Sequence, residues 1–194
     1  MTGDFLITKE FLKELYPCTD GYRWFCKTYP DGGKYQEILD RLCELDRFCD
    51  ARWLLDKVGA TDDVLEIDSI DDKEKSICFA GTIIASKNLT LKKIKAGGYI
   101  EAGGHIKAGG YIEAGEHIKA GGHIKAGEYI EAGGYIEAGW HIKADWHIKA
   151  GKDYGVYAGI GVILSDMKKS GYVKAQEKPE NLMCGYWEGE GYEI

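Results

Sequence analysis

The sequence predicts an α+β chain: a small N-terminal helical domain followed by a parallel β-solenoid with a C-terminal cap. Three observations carry that expectation. Ile recurs every six residues ten times from Ile94 to Ile148, and Ala follows each by two residues, from Ala96 to Ala150. Glycine pairs such as Gly103-Gly104 fall between these Ile-x-Ala triplets. Residues 1–60 lack the six-residue period and instead space apolar residues by three and four, as at Tyr35, Ile38, Leu39 and Leu42.

A helix would turn a six-residue repeat to a new face at each copy, whereas a four-residue strand with a two-residue corner returns it to the same side. In Tyr99-Ile100-Glu101-Ala102 the alternation places Ile100 and Ala102 inward and Tyr99 and Glu101 outward, and Gly103-Gly104 permits the corner. One such unit cannot bury its Ile alone, so coils must stack. The pattern resembles the hexapeptide-repeat β-solenoid class over residues 81–165 in its period and inward aliphatic residue. It departs from the acyltransferase version, in which a small residue commonly follows the aliphatic; here Lys or Glu stands there. The resemblance implies a fold and leaves residues 1–80 outside it.

In chain order, residues 1–60 read as four helices. Thr8 caps Lys9 to Tyr16, which Pro17 ends; Asp20 caps a second helix through Cys26, closed before Pro30 and Asp31-Gly32-Gly33. Lys34 to Leu45 and Arg47 to Val58 follow, with Gly59 as the stop. Trp24, Phe25, Phe48 and Trp53 read as core rather than as a ligand cage. Residues 61–93 are expected to be linker strands and the first cap: Val64 to Asp68 and Ser76 to Ala80 flank the polar link Asp71 to Lys75. Residues 94–165 are the solenoid. Past Ala150, Tyr154 takes the Ile place and Val156 the Ala place, Ile160 and Val162 restore both, and Val162 to Ser165 forms the last coil. Residues 166–194 are expected to cap the end, with a strand at Tyr172 to Ala175 and with Tyr186 and Trp187 as lids.

The net charge of −7 is uneven: residues 1–80 hold 11 Lys and Arg against 18 Asp and Glu, whereas residues 81–150 hold 9 against 7. The acidity disfavours direct nucleic-acid binding, which needs a clustered basic surface. No leader pattern and no apolar run of spanning length is present, so the chain reads as soluble and cytoplasmic, with no membrane partner. Its six Cys contain no C-x-x-C pair and read as reduced thiols; the four between Cys18 and Cys49 lack zinc-ligand spacing, and no cofactor or metal is expected.

The outward positions obey a second rule. Tyr before Ile goes with Glu after it, as in Tyr99 and Glu101, whereas His goes with Lys, as in His105 and Lys107, through all nine units from Tyr99 to Lys149. Duplication of a twelve-residue cassette explains this without selection for chemistry. If three units rather than two close one coil, three ladders follow, and one is wholly basic: His105, His123 and His141 beside Lys107, Lys125 and Lys143. A stripe of that kind suits an acidic partner. Trp140 and Trp146 stand where other units have Gly or Glu, and together with Tyr135 and His141 they are the expected contact surface. Zinc on the His ladder is disfavoured by the alternating Lys, and five equivalent His in an uninterrupted repeat argue against one catalytic base.

These features point to a non-enzymatic interaction module. In overall character the chain resembles accessory proteins of phages and mobile elements, such as anti-CRISPR inhibitors. That resemblance implies binding and steric blocking of a host protein or ribonucleoprotein complex, and a homodimer through the flat faces stays open. The alternatives are an acyltransferase-like enzyme with a His base, and a structural solenoid that assembles with itself.

Overall fold

In the computed structural model, which describes residues 2–189, every Ile-x-Ala triplet from Ile100 to Ala144 is a three-residue strand. The eight Ile from Ile100 to Ile142 are 0 % exposed. Each strand pairs in parallel with the strand three units further on: Ile100 with Ile118 and Ile118 with Ile136, Ile106 with Ile124 and Ile124 with Ile142, Ile112 with Ile130 and Ile130 with Ile148. One coil therefore takes three units and three strands, which decides the choice the repeat alone left open. The first face carries Ile100, Ile118 and Ile136, the second Ile106, Ile124 and Ile142, and the third Ile112, Ile130 and Ile148. Seven strands stack on the first face, from Val64–Ile67 to Leu182–Cys184, so the solenoid has about seven turns.

The corners select glycine by close approach. A Cβ at Gly133 would collide with the carbonyl oxygen of Gly115 one coil below, and Gly121 meets Gly103 in the same way. The backbone N–H of Gly133 donates to Ala114 O at 3.0 Å, which holds successive coils at that distance.

Pairing begins well before the regular repeat. Val64–Ile67 pairs with Thr82–Ala85, and Ile70–Phe79 with Leu89–Ala96, both in parallel. Residues 64–79 thus form the first coil. Asp71 to Lys75, expected as a link between two strands, lies inside the strand Ile70–Phe79, and the register shifts between Asp72 and Ser76, where the chain passes from the second face to the third.

The C-terminal end departs from the sequence expectation. The Ile place on the first face is taken by Val156, paired with Ile136, and the Ala place by Ala158; Tyr154 is half exposed. Two residues are inserted because the chain turns at Gly151, whose carbonyl accepts the Tyr154 N–H at 2.9 Å. Val162 to Ser165 is not a coil: Gly159 turns the backbone outward at φ +76, and Ile160, Ile163 and Leu164 are exposed. Tyr172–Lys174 resumes the second face beside Ile142–Ala144, and Leu182–Cys184 and Tyr186–Trp187 add the last strands. Leu182 and Trp187 pack against the end of the core, whereas Tyr186 is exposed. The part of the expected cap from 190 to 194 lies outside the described residues.

The N-terminal domain has helices α1 (Lys9–Glu14), α2 (Thr19–Thr28), α3 (Tyr35–Glu44) and α4 (Phe48–Val58). The Thr8 hydroxyl accepts the Phe11 N–H at 3.2 Å. The cap of α2 is Cys18 in place of the expected Asp20, its thiol accepting the Gly21 N–H at 3.3 Å, while Asp20 sits in the first turn and pairs with Arg47 at 2.7 Å. Gly59 ends α4 at φ +94. Phe25 and Phe48 are core residues with Ile38, Leu39, Leu42 and Leu54, and Trp24 and Trp53 pack at the margin.

This domain docks on the third face. Its core continues without a break into Cys78, Ala80, Tyr111 and Tyr129 of the solenoid. Gln36 clamps the first coil, its Nε2 donating to Cys78 O at 3.0 Å and its Oε1 accepting the Ala80 N–H at 2.8 Å. Phe48 meets the Tyr111 ring edge-on at 5.5 Å, and the Arg52 guanidinium lies 5.7 Å from Tyr111 and 5.9 Å from Tyr129. Arg52 pairs with Glu113 at 3.1 Å, and the buried Lys95 pairs with Asp56 at 2.8 Å and with Glu113. Tyr111 and Tyr129, outward from the solenoid by alternation, are therefore only 5 % and 8 % exposed.

Two outcomes follow. Gly133→Ala should lower unfolding free energy by about 1–3 kcal/mol in denaturant titration, because the coil must open to admit the methyl group. Phe48→Ala should cost about 3 kcal/mol and speed proteolytic cleavage near residues 59–63, because both the helical core and its seat on Tyr111 lose the ring; unchanged cleavage would show that the docking does not depend on it.

Candidate functional site: a basic face edged with tryptophan

The in-register coils turn the residue before each Ile into an aromatic column at each corner. Tyr99, His117 and Tyr135 stack at 4.5 and 4.7 Å. His105, His123 and His141 stack at 3.9 and 4.7 Å, and Tyr172 extends that column at 4.6 Å. Tyr111, Tyr129 and His147 stack at 4.7 and 5.2 Å. Ring faces are occupied by neighbouring rings, so the columns offer a ligand only their edges.

The residue after each Ile sets the charge of each face, and the three faces differ. On the first, Glu101, Lys119 and Glu137 alternate, and Lys119 pairs with Glu137 at 3.3 Å. On the third, Lys95, Glu113, Glu131 and Lys149 mix both signs, and the helical domain covers the early strands. On the second, Lys107, Lys125, Lys143 and Lys174 lie in register on successive strands. Lys174 has Glu188 at 3.7 Å; Lys107, Lys125 and Lys143 have no ion-pair partner among the described residues. Strands in a sheet lie ~4.8 Å apart, so these ammonium groups repel and remain available to an external anion.

Trp140 and Trp146 occupy the two corners that bound this second face. Trp140 leans on the His column, 5.4 Å from His105 and 6.4 Å from His123, and is 47 % exposed; Trp146 is 52 % exposed. Of the residues expected from sequence as a contact surface, Lys107, Lys125, Lys143, His105, His123, His141, Trp140 and Trp146 all fall on the second face or its two edges. Tyr135 does not: it belongs to the column at the corner leading into the first face. Sequence reasoning missed Lys174 and Tyr172, although Tyr172-Val173-Lys174 repeats the aromatic, aliphatic, charged order of the regular units.

The His column is held neutral. Burial, then the flanking His105 and His141, bring His123 down to about 3, and burial with nearby Lys lowers His105 and His141 as well. For His105 the geometry requires the same state, since its Nδ1 accepts the His123 backbone N–H at 3.1 Å and a protonated Nδ1 could not. The stacked rings point their nitrogens side by side rather than toward a shared centre, and among the described residues no group of three or more His, Cys, Asp or Glu is placed to hold a metal ion.

A groove of about 760 Å³ lies on the uncovered end of the third face, between Ile148–Gly151 and Glu177–Asn181. In it His147 Nε2 sits 2.8 Å from Glu131 Oε1. His117 likewise stands one coil above a Tyr-Glu unit, but among the described residues only His147 has a carboxylate at hydrogen-bond distance, which distinguishes it from the other four. Lys149, Lys152 and Lys178 line the groove with the pair, and no Ser, Thr or Cys does so among the described residues.

The fold and its faces define a helical domain fixed to a parallel β-solenoid. Residues 1–61 match the family model described as the YdhT N-terminal domain. No curated protein and no solved structure matches the chain. Among the described residues no helix is long and apolar enough to cross a membrane.

The depressed His123 and His141 give a pH dependence. An unfolded chain takes up protons below about pH 6.5 that the folded column refuses, so stability falls as pH drops from 7 toward 5. After allowance for solvent at the ring edges, the loss is on the order of 1 kcal/mol. A variant with His123→Tyr and His141→Tyr keeps stacking rings and should show a smaller loss over that interval in thermal melts; an equal loss would place the effect elsewhere.

Proposed function

We propose that the protein is a non-enzymatic binding module in which the solenoid is a rigid rod and its second face engages an acidic partner. The observation that supports this is the column Lys107, Lys125 and Lys143, which no internal acid offsets although both other faces mix the two signs. The repeat could have placed Glu there, as it does at Glu101 and Glu137. The helical domain sits on the third face and leaves the second one open. The six cysteines are free thiols, in keeping with a cytoplasmic setting. A phage-type inhibitor that blocks a host defence complex is a narrower form of the same reading, and no feature of this fold is particular to such inhibitors.

Affinity capture from a clarified bacterial lysate at physiological salt tests the reading. The wild type should retain a specific acidic partner, the variant with Lys107, Lys125 and Lys143 all changed to Glu should lose it, and Lys119→Glu on the first face should keep it. Absence of any specific partner, or capture indifferent to the triple change, counts against it.

The enzymatic reading has one observation in its favour, the His147 and Glu131 pair in the groove. Calorimetric titration with CoA discriminates: heat of binding that His147→Ala removes would favour an acyl-transfer enzyme, and no heat would dismiss it.

A further inference from the structure

Around the lysine column, large apolar side chains project outward rather than line a pocket. Trp140 and Trp146 stand at the two edges of the second face. Residues 159–171, the excursion between the first-face strand Val156–Ala158 and the second-face strand Tyr172–Lys174, leave at the corner that bears Trp140; the Gly159 N–H donates to Trp140 O at 2.6 Å. On that excursion Ile163 is 69 % and Leu164 89 % exposed, and Lys168 and Lys169 follow within a turn. Lys168 Nζ lies 5.2 Å from the ring of Tyr186, on the last strand of the same face. Bare aliphatic tips, half-exposed indoles and lysines thus gather at the second face and its corners, with Glu128 directly beneath Trp146, Asp71 two strands below Lys107, and Asp145, Asp166 and Glu188 as the nearby acids.

We infer that the second face is a peripheral docking surface for an anionic lipid bilayer, with Trp140, Trp146 and the Ile163-Leu164 tip entering the headgroup layer around the lysine column. This deepens the binding-module reading and rests on it, since the face must first be the contact surface. A protein hot spot seats an aromatic anchor in a shaped, desolvated pocket. Here the apolar groups rim an open sheet face whose central strands carry only lysine, which matches a planar and laterally fluid partner. Indole rings favour the depth of the headgroups, lysine stems extend their charge toward it, and each lysine near an anionic leaflet adds to the attraction. No spanning segment is needed, so the expectation of no membrane partner, drawn from the lack of one, does not bear on a protein that lies on the surface.

Flotation of the full chain with vesicles tests this. It should float with phosphatidylglycerol–phosphatidylcholine vesicles and stay behind with phosphatidylcholine alone, with a blue shift of tryptophan emission on binding. The variant with Lys107, Lys125 and Lys143 changed to Gln should partition about a hundredfold more weakly. Trp140→Ala with Trp146→Ala should remove most of the blue shift, and Ile163→Ser with Leu164→Ser should weaken flotation; circular dichroism melts confirm that each variant folds. Failure to float with anionic vesicles, equal flotation with neutral ones, or indifference to the lysine change overturns the inference. If vesicles fail while a protein partner is captured through the lysine column, the lipid assignment alone falls. If neither is bound, both readings fall.

Discussion

Everything in this molecule depends on the parallel registration of one coil on the next, Ile on Ile and Ala on Ala, with every third unit of the repeat in line. The core is a row of side chains that exclude water only when another coil sits above and below, so the stability of each coil is borrowed from its neighbours. That requirement fixes the corner glycines, because the carbonyl of the coil beneath occupies the space a Cβ would need. It also fixes what happens outside: whatever stands at one position of a unit is brought against the residue at the same position three units further on.

The consequence differs by chemistry. Aromatic rings gain from being laid on one another, and the three corner columns are the result. Charges do not gain, and two faces ease the difficulty by mixing Glu with Lys. The second face keeps Lys upon Lys. An exposed stack of like charges is unfavourable by a few tenths of a kcal/mol per pair, small enough to persist and with no structural benefit to explain it. The Tyr and His columns, by contrast, are explained by the fold itself, since their ring faces are already in use.

The regular repeat was legible because period and side-chain alternation decide it locally. The coil length was not, since a six-residue unit is compatible with more than one closure and only pairing between distant strands selects three units per turn. The helical domain was legible as four helices with a Leu, Ile and Phe core, yet its seat was hidden: Tyr111 and Tyr129 carry the same pattern as Tyr99 and Tyr135, and only Phe48 and Arg52, far upstream in the chain, make them interior. The C-terminal error has a similar source. Ile160 and Val162 carry the apolar spacing of a coil, but Gly159 at φ +76 turns the chain out before they can enter it, and the place passes to Val173, in register with Ile142.

The asymmetry among the faces is therefore the feature to explain. A cassette of Tyr-Ile-Glu and His-Ile-Lys units wound at three units per coil does not by itself produce one uniform face, because strict alternation would place Tyr above His on every corner. Strict alternation breaks three times, where His117 is followed by His123, Tyr129 by Tyr135, and His141 by His147. The first slip sets His105 beneath His123 and Tyr111 beneath Tyr129, and the second brings His141 onto the His corner. These slips thus made both the paired tyrosines on which the helical domain sits and the lysine column that domain leaves uncovered. Changes of phase in the repeat thus separate the face on which the helical domain is docked from a lysine-bearing face that stays open, and Trp140 and Trp146 stand at the two edges of the open one.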